Sequence, residues 1–197
     1  MQYFDVIQSR RSNHHLSSEL LQSKEELIHH LEQVLEATPS SFNSQSQRMV
    51  VLFGASHEHF WNRVIDEIAK LVTVEQLSKS KQKIKQFADS LGTVLFFDDE
   101  ETTKHMMEKF PLYASQCQVW SEQQNGMLQI NIWNALVALG YQANLQHYTE
   151  LIEETIKHDF HIPTSWRMVG QMPFGKATSE PKKKEILPTK QRVIVFE

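Results

Sequence analysis

The sequence predicts an α+β domain, and three observations carry that prediction. Strand-like runs are separated by helical stretches of unequal length, which departs from the even alternation of a doubly wound parallel sheet. Neither a GxGxxG nor a GxxxxGK turn joins a strand to a helix, so the common glycine-rich phosphate cradles are absent. The 197 residues fall within the usual size of one folding unit, and residues 1–197 are read as a single domain.

The elements follow in order. Tyr3, Phe4 and Ile7 sit at helical spacing, and Arg10 and Arg11 stand at or just past the end of that turn. Residues 23–38 form a second helix: Ser23 and Glu26 make a capping-box pattern, and Leu27, Leu31, Val34 and Leu35 share one apolar face. Pro39 ends it, and "TPSSFNSQSQ" is a polar loop. "RMVVLFG" reads as a buried strand closed by Gly54, followed by helices over 56–72 and 74–89 and a second strand, "GTVLFFDD". A long helix runs from about Gln116 to Leu139, apolar nearly all round in its second half, and Gly140 stops it. After a loop and another helix come a strand and turn, "WRMVGQMPFG", a polar connection with two prolines, and a terminal strand, "QRVIVFE". Whether residues 98–115, with the aromatics of "KFPLY", form a lid is left open by the pattern.

Composition narrows the function. A formal net charge of −4 and a pI near 6.2 give no whole-chain attraction to nucleic acids or anionic membranes, so any anion site is local. No apolar run approaches the roughly 18 residues that span a bilayer, and Asp5 interrupts the N-terminal apolar run, so a soluble, cytoplasmic protein is expected. The single cysteine, Cys117, forms no intramolecular disulfide and reads as a small packed hydrophobe. The ten histidines do not carry metal spacing: His14 and His15, like His29 and His30, are adjacent, and "HEH" lacks an HExxH continuation, so no metal site is expected.

Three constellations carry chemistry. Arg10, Arg11 and Ser12 offer two guanidinium forks and a hydroxyl, a donor set matched to phosphate oxygens. Asn43 and Gln45, in the serine-rich loop, can present a donor and an acceptor side by side to a heterocycle edge. Lys190 and Arg192 alternate in the expected terminal strand and would share one face of it.

In chain order, "RRSNHH", "ATPSSFNSQSQR", "ALVALGYQANLQHY", "VGQMPFG" and "KQRV" resemble the nitroreductase family of FMN-dependent oxidoreductases over nearly the whole chain. Within that family the sequence resembles the fatty-acid-repression, or copper-induced nitroreductase-like, subfamily. The resemblance implies a central, mostly antiparallel sheet flanked by helices, and a homodimer in which the C-terminal strand is exchanged. It implies FMN as cofactor, its phosphate and ribityl chain held by Arg10, Arg11 and Ser12, with Lys190 and Arg192 closing on the same phosphate. Asn43 is implied at the pyrimidine edge of the flavin, with Gln45 behind it. Leu145, Gln146, His147 and Tyr148 are implied along the isoalloxazine, with a backbone N–H near N5. His14 stands where the family often has Lys or Arg, Ser46 where proline is usual, and His147 where an acid is common. The implied activity is a two-step hydride relay from NADH or NADPH to a nitroaromatic or quinone, with no catalytic side chain. The alternatives are a flavin-binding sensor or carrier without turnover, and a helical interaction protein in which the four cations are surface charges.

Overall fold

The computed structural model describes residues 2–197, and the chain is α+β as the sequence predicts. Among the described residues seven α-helices and five strands are formed: α1 (Tyr3–Ser9), β1 (Leu16–Ser17), α2 (Lys24–Ala37), β2 (Gln47–Phe53), α3 (Gly54–Ala69), α4 (Val74–Ala88), β3 (Gly92–Asp99), α5 (Glu100–Lys109), α6 (Ala114–Ala138), β4 (Gln142–Ala143), α7 (Thr149–Phe160) and β5 (Trp166–Ala177). The strands make one antiparallel sheet in the order β1-β5-β3-β2, with β4 also on β5.

β3 is buried on both faces, which explains its unbroken apolar run. Val94 and Phe96 face one core with Leu27 and Leu31 of α2 and Leu128, Ile132 and Leu136 of α6. Leu95 and Phe97 face the other, with Trp61 of α3, Phe87 of α4 and Ile152 of α7. Two helical layers thus sandwich the sheet. A bulge in β5 sets Phe97 opposite Met168 and Phe96 opposite Gly170, skipping Val169. The extra residue changes the side-chain phase, so Met168 joins the second core while Met172 joins the first.

Several expectations are corrected. "VGQMPFG" is the interior of the twelve-residue β5, not a strand followed by a turn. Gly54 starts α3, at φ +54°, directly after β2. Residues 98–115 are mostly helical, in α5 and the short 3₁₀ turn Pro111–Tyr113. The second half of α6 is buried on most sides, as its apolar run predicts, with Met127 and Ile130 left exposed. "QRVIVFE" is not a strand: after β5 the chain is irregular apart from a 3₁₀ turn at Thr189–Gln191, and Val193, Ile194, Val195 and Phe196 are exposed. A strand exists only by pairing, and within this one chain the segment pairs with no sheet edge. Cys117 is buried in α6, as a packed hydrophobe should be. Among the described residues no helix is long and apolar enough to cross a membrane.

Candidate functional site

The N-terminal cations and the 143–148 segment lie far apart in sequence and side by side in the fold. Ser12 forms a parallel bridge with Ala143, and the Asn13 N–H donates to the Ala143 carbonyl at 3.0 Å. The Asn144 amide donates to the Asn13 carbonyl at 2.8 Å, and the Gln146 amide donates to Asn144 Oδ1 at 2.7 Å. Asn13 in turn donates to the Ser179 carbonyl at 2.7 Å, which ties the start of the C-terminal tail to the same place. Asn13 and Asn144, both buried, therefore form the joint between the two segments; they lie within the "RRSNHH" and "ALVALGYQANLQHY" motifs, but neither is singled out there as a site residue.

The 143–148 segment is extended against β5. Asn144 N–H donates to the Pro173 carbonyl at 3.2 Å, Gln146 N–H to the Gln171 carbonyl at 2.7 Å, and Tyr148 N–H to Gln171 Oε1 at 2.8 Å. In extended backbone successive N–H groups point to opposite sides, so those of Leu145 and His147 are turned away from β5. Gly170 lies beneath them: a Cβ there would sit 3.5 Å from Leu145 Cδ1 and 3.7 Å from His147 Cδ2. Tyr148, packed 6.1 Å from Trp61 ring to ring, has its phenol pushed above the ordinary range by burial.

Arg10 caps α1 and lies 4.6 Å from the Trp133 ring centroid of α6, a cation–π contact. Burial and the neighbouring Arg11 lower its pKa from the ordinary arginine value. Arg11 donates to the Lys182 carbonyl. Ser12 and His14 border a cleft of about 580 Å³ whose other wall includes Lys83 of α4 and Lys182 of the tail. Burial first, then the charges of Lys83, His15 and Lys182, hold the His14 imidazole below its ordinary pKa. Lys83 and Lys182 escaped sequence reading because neither belongs to a motif.

The serine-rich loop is strained. Phe42, Asn43 and Gln45 all have positive φ, an unusual density for residues other than glycine, and such strain persists only where surroundings impose it. The imposing residue is Gln124 of α6: its Oε1 accepts the Ser41 N–H at 2.9 Å, and its Nε2 donates to Ser46 Oγ at 2.6 Å and Ser44 Oγ at 3.3 Å. Ser46 donates onward to buried Asp98 at 2.5 Å. The outcome is that Asn43 and Gln45 stand exposed at the loop tip. Beside them Phe42 stacks on Phe110 at 4.3 Å, and Phe42, Tyr113 and Trp120 line a surface hollow of about 400 Å³, so Tyr113 is the "KFPLY" aromatic that borders it.

Lys190 and Arg192 are exposed in the tail, and the Arg192 guanidinium donates to the Leu187 carbonyl at 3.4 Å, its own local turn. Within this one chain no hydrogen bond among the described residues joins them to Arg10, Arg11 or Ser12.

The fold thus sets the Arg10–His14 run, with its cations and hydroxyl, beside the Leu145–His147 segment, whose backbone N–H groups face away from β5. The sequence model of the nitroreductase family matches residues 7–176. Nitroreductase FRM2 of Saccharomyces cerevisiae is 30% identical over 187 residues, covering 94% of this chain and 93% of that protein. The nitroreductase CinD of Lactococcus lactis, solved with chloramphenicol, is 32% identical, superposes over 100% of both chains and gives a TM-score of 0.91. The same protein has been solved with 4-nitrophenol. An Exiguobacterium sibiricum protein solved in complex with FMN shares the fold alone, at 16% identity and a TM-score of 0.74 over 100% of this chain and 98% of that one.

Proposed function

Because the chain belongs to the nitroreductase family and is thus an oxidoreductase, we propose that it is an FMN-dependent NAD(P)H oxidoreductase acting on nitroaromatic compounds or quinones. One observation carries the reading: the Ser12–Ala143 bridge joins the cation run to the segment whose Leu145 and His147 N–H groups point away from the sheet. A phosphate-binding end and a ring-binding end are thereby parts of one site. FMN, when bound, would supply the redox chemistry that carries reducing equivalents from a reduced nicotinamide to the acceptor.

The protein's own part is to bind, orient and polarise. Arg10, Arg11 and Ser12 hold the phosphate, and His14 borders it. The Leu145 and His147 N–H groups are fixed donors at the ring, prepaid by the pairing of Asn144, Gln146 and Tyr148 with β5. Asn43 and Gln45, held outward by Gln124, address the pyrimidine edge. The CinD complexes with chloramphenicol and 4-nitrophenol support nitroaromatic acceptors for this chain as well.

A homodimer completes the reading. Exposed Val193, Ile194, Val195 and Phe196, together with Met127 and Ile130 on α6, form apolar surface that a second copy would cover. In that dimer the tail becomes the exchanged strand, and Lys190 and Arg192 reach the phosphate.

The test is an absorption spectrum of the purified protein, followed by addition of NADH or NADPH and then menadione or 4-nitrophenol. Flavin bands that bleach with reductant and return with acceptor are expected. A colourless protein that cannot be loaded with FMN refutes the proposal.

A further inference from the structure

We propose that buried Asp98 of β3 is a positioning residue for the flavin: through Ser46 it sets the direction of the hydrogen bonds by which Gln124 holds the loop of Asn43 and Gln45. The inference rests on the flavin reading above and adds to it a group that touches no ligand.

Asp98, Ser46 and Gln124 are all buried, so a hydrogen bond lost among them is not replaced by water. The sheet fixes Ser46 against Asp98. Gln47 stands opposite Asp98 in the β2–β3 register, and the Asp99 N–H donates to the Ser46 carbonyl at 2.9 Å. Ser46 Oγ then lies 2.5 Å from one oxygen of the Asp98 carboxylate, and Thr103 Oγ1 of α5 donates to the other at 3.1 Å. Arg48, the cation of β2, is paired with Asp99 at 2.7 Å, and hydroxyls are what meet Asp98.

The ends of this relay determine its polarity. A backbone N–H only donates and a carboxylate only accepts, whereas a hydroxyl gives one proton and receives on its lone pairs. The Ser41 N–H donates to Gln124 Oε1 at 2.9 Å, which turns Gln124 Nε2 toward Ser46 Oγ at 2.6 Å. Ser46 accepts that N–H and gives its own proton to Asp98. Ser46 is the member able to run either way, and Asp98 decides its direction. The consequence falls on the loop. Phe42, Asn43 and Gln45, all at positive φ, lie between Ser41 and Ser46, the two residues that the relay grips. Strain of this kind persists only while the surroundings impose it.

The test reverses the polarity in the full chain. In Gln124→Glu two acceptor-only groups face the single Ser46 proton, and one contact becomes repulsive. Adding Asp98→Asn lets the relay run backwards: the introduced amide donates to Ser46, Ser46 donates to the introduced carboxylate, and that carboxylate still accepts the Ser41 N–H. FMN and riboflavin are titrated by flavin fluorescence, and hydrogen-exchange protection of amides 41–46 is measured in the flavin-free proteins. Gln124→Glu should weaken both flavins about tenfold and lower the protection, and the double variant should regain most of both. Losses from packing alone would instead accumulate at the two positions. A double variant as weak as Gln124→Glu, or weaker, overturns the proposal, as does Gln124→Glu with wild-type affinity and protection. If a charged variant fails to fold, Ser46→Ala decides the matter: it removes the link without adding charge, lower affinity for both flavins with lower loop protection is expected, and wild-type values overturn the relay. Wild-type protein that binds neither flavin is a failure of the flavin reading, distinguished from failure of the relay by the protection of amides 41–46.

Discussion

Gln124→Leu should release the loop that presents Asn43 and Gln45. The substitution keeps side-chain bulk but removes the acceptor of the Ser41 N–H at 2.9 Å and the donor to Ser46 Oγ at 2.6 Å. Each net hydrogen bond contributes about 0.5–1.5 kcal/mol, and a donor left unsatisfied inside costs about 1–3 kcal/mol. Full retention of the native loop would therefore cost about 2–4 kcal/mol. The loop is half exposed and strained at three residues, so it has a cheaper response: it rearranges until the Ser41 N–H meets water. Global unfolding in urea should then fall by only about 1–2 kcal/mol, while amides 41–46 lose hydrogen-exchange protection. Flavin affinity should weaken about tenfold, equivalent to about 1.4 kcal/mol. Because the lost contacts lie at the ring edge, riboflavin should weaken as much as FMN. A Gln124→Leu protein with wild-type flavin affinity and wild-type loop protection would refute the reasoning, whatever its stability.

Arg192→Ala should weaken FMN binding by roughly 1.5–3 kcal/mol, through loss of a charge-assisted contact, with equal affinity in a flavin titration sinking the phosphate assignment. Gly175→Ala places a Cβ 2.3 Å from the Ser17 carbonyl oxygen and should cost about 1–3 kcal/mol by displacing β1. Gly170→Ala meets only ordinary contacts from 3.5 Å outward and should be far milder, so urea midpoints in the reverse order would contradict the packing described. His57 is buried with Nδ1 2.9 Å from Thr93 Oγ1 and Nε2 3.1 Å from the Ala88 carbonyl, and desolvation lowers its pKa. Its neutral form is favoured in the fold, so its contribution to stability is complete above the unfolded value near 6.5 and falls with acid, by up to about 1.4 kcal/mol per pH unit. His57→Gln should flatten the stability profile below pH 6.5 relative to wild type, and parallel profiles would count against it.

What the sequence revealed depended on whether the cause was local. The α2 capping box, Ser23 with Glu26, acts within one turn and was read directly. The apolar run of β3 was legible because burial on both faces leaves no polar alternation. β1 and β4, two residues each, have no period to read and exist through pairing with β5. The same reason hid Asn13 and Asn144, whose importance lies in a contact across 131 positions, and Gln124, which reaches Ser46 across 78. Motif resemblance named the groups proposed to face the ligand, whereas the pairings that hold them in place became visible only in the fold.

The C-terminal tail shows how a site can be complete in composition and incomplete in one chain. Its first residues belong to the site: the Thr178 N–H donates to the His15 carbonyl at 2.9 Å, the Ser179 carbonyl accepts from Asn13, and Arg11 reaches the Lys182 carbonyl. Beyond that clamp, Ile186, Leu187 and Val193–Phe196 are exposed, and they flank Lys190 and Arg192. If a second copy covers those apolar residues, tail order, dimerisation and phosphate binding are linked, and each must strengthen the others by the same free energy. Truncation after Glu185 keeps the clamp and removes the rest. Sedimentation should then show a weakened dimer, and FMN affinity should fall while riboflavin affinity falls less. A truncated chain that stays dimeric and binds FMN as tightly as the full one would break the link, leaving Arg10, Arg11 and Ser12 as the whole of the proposed phosphate site.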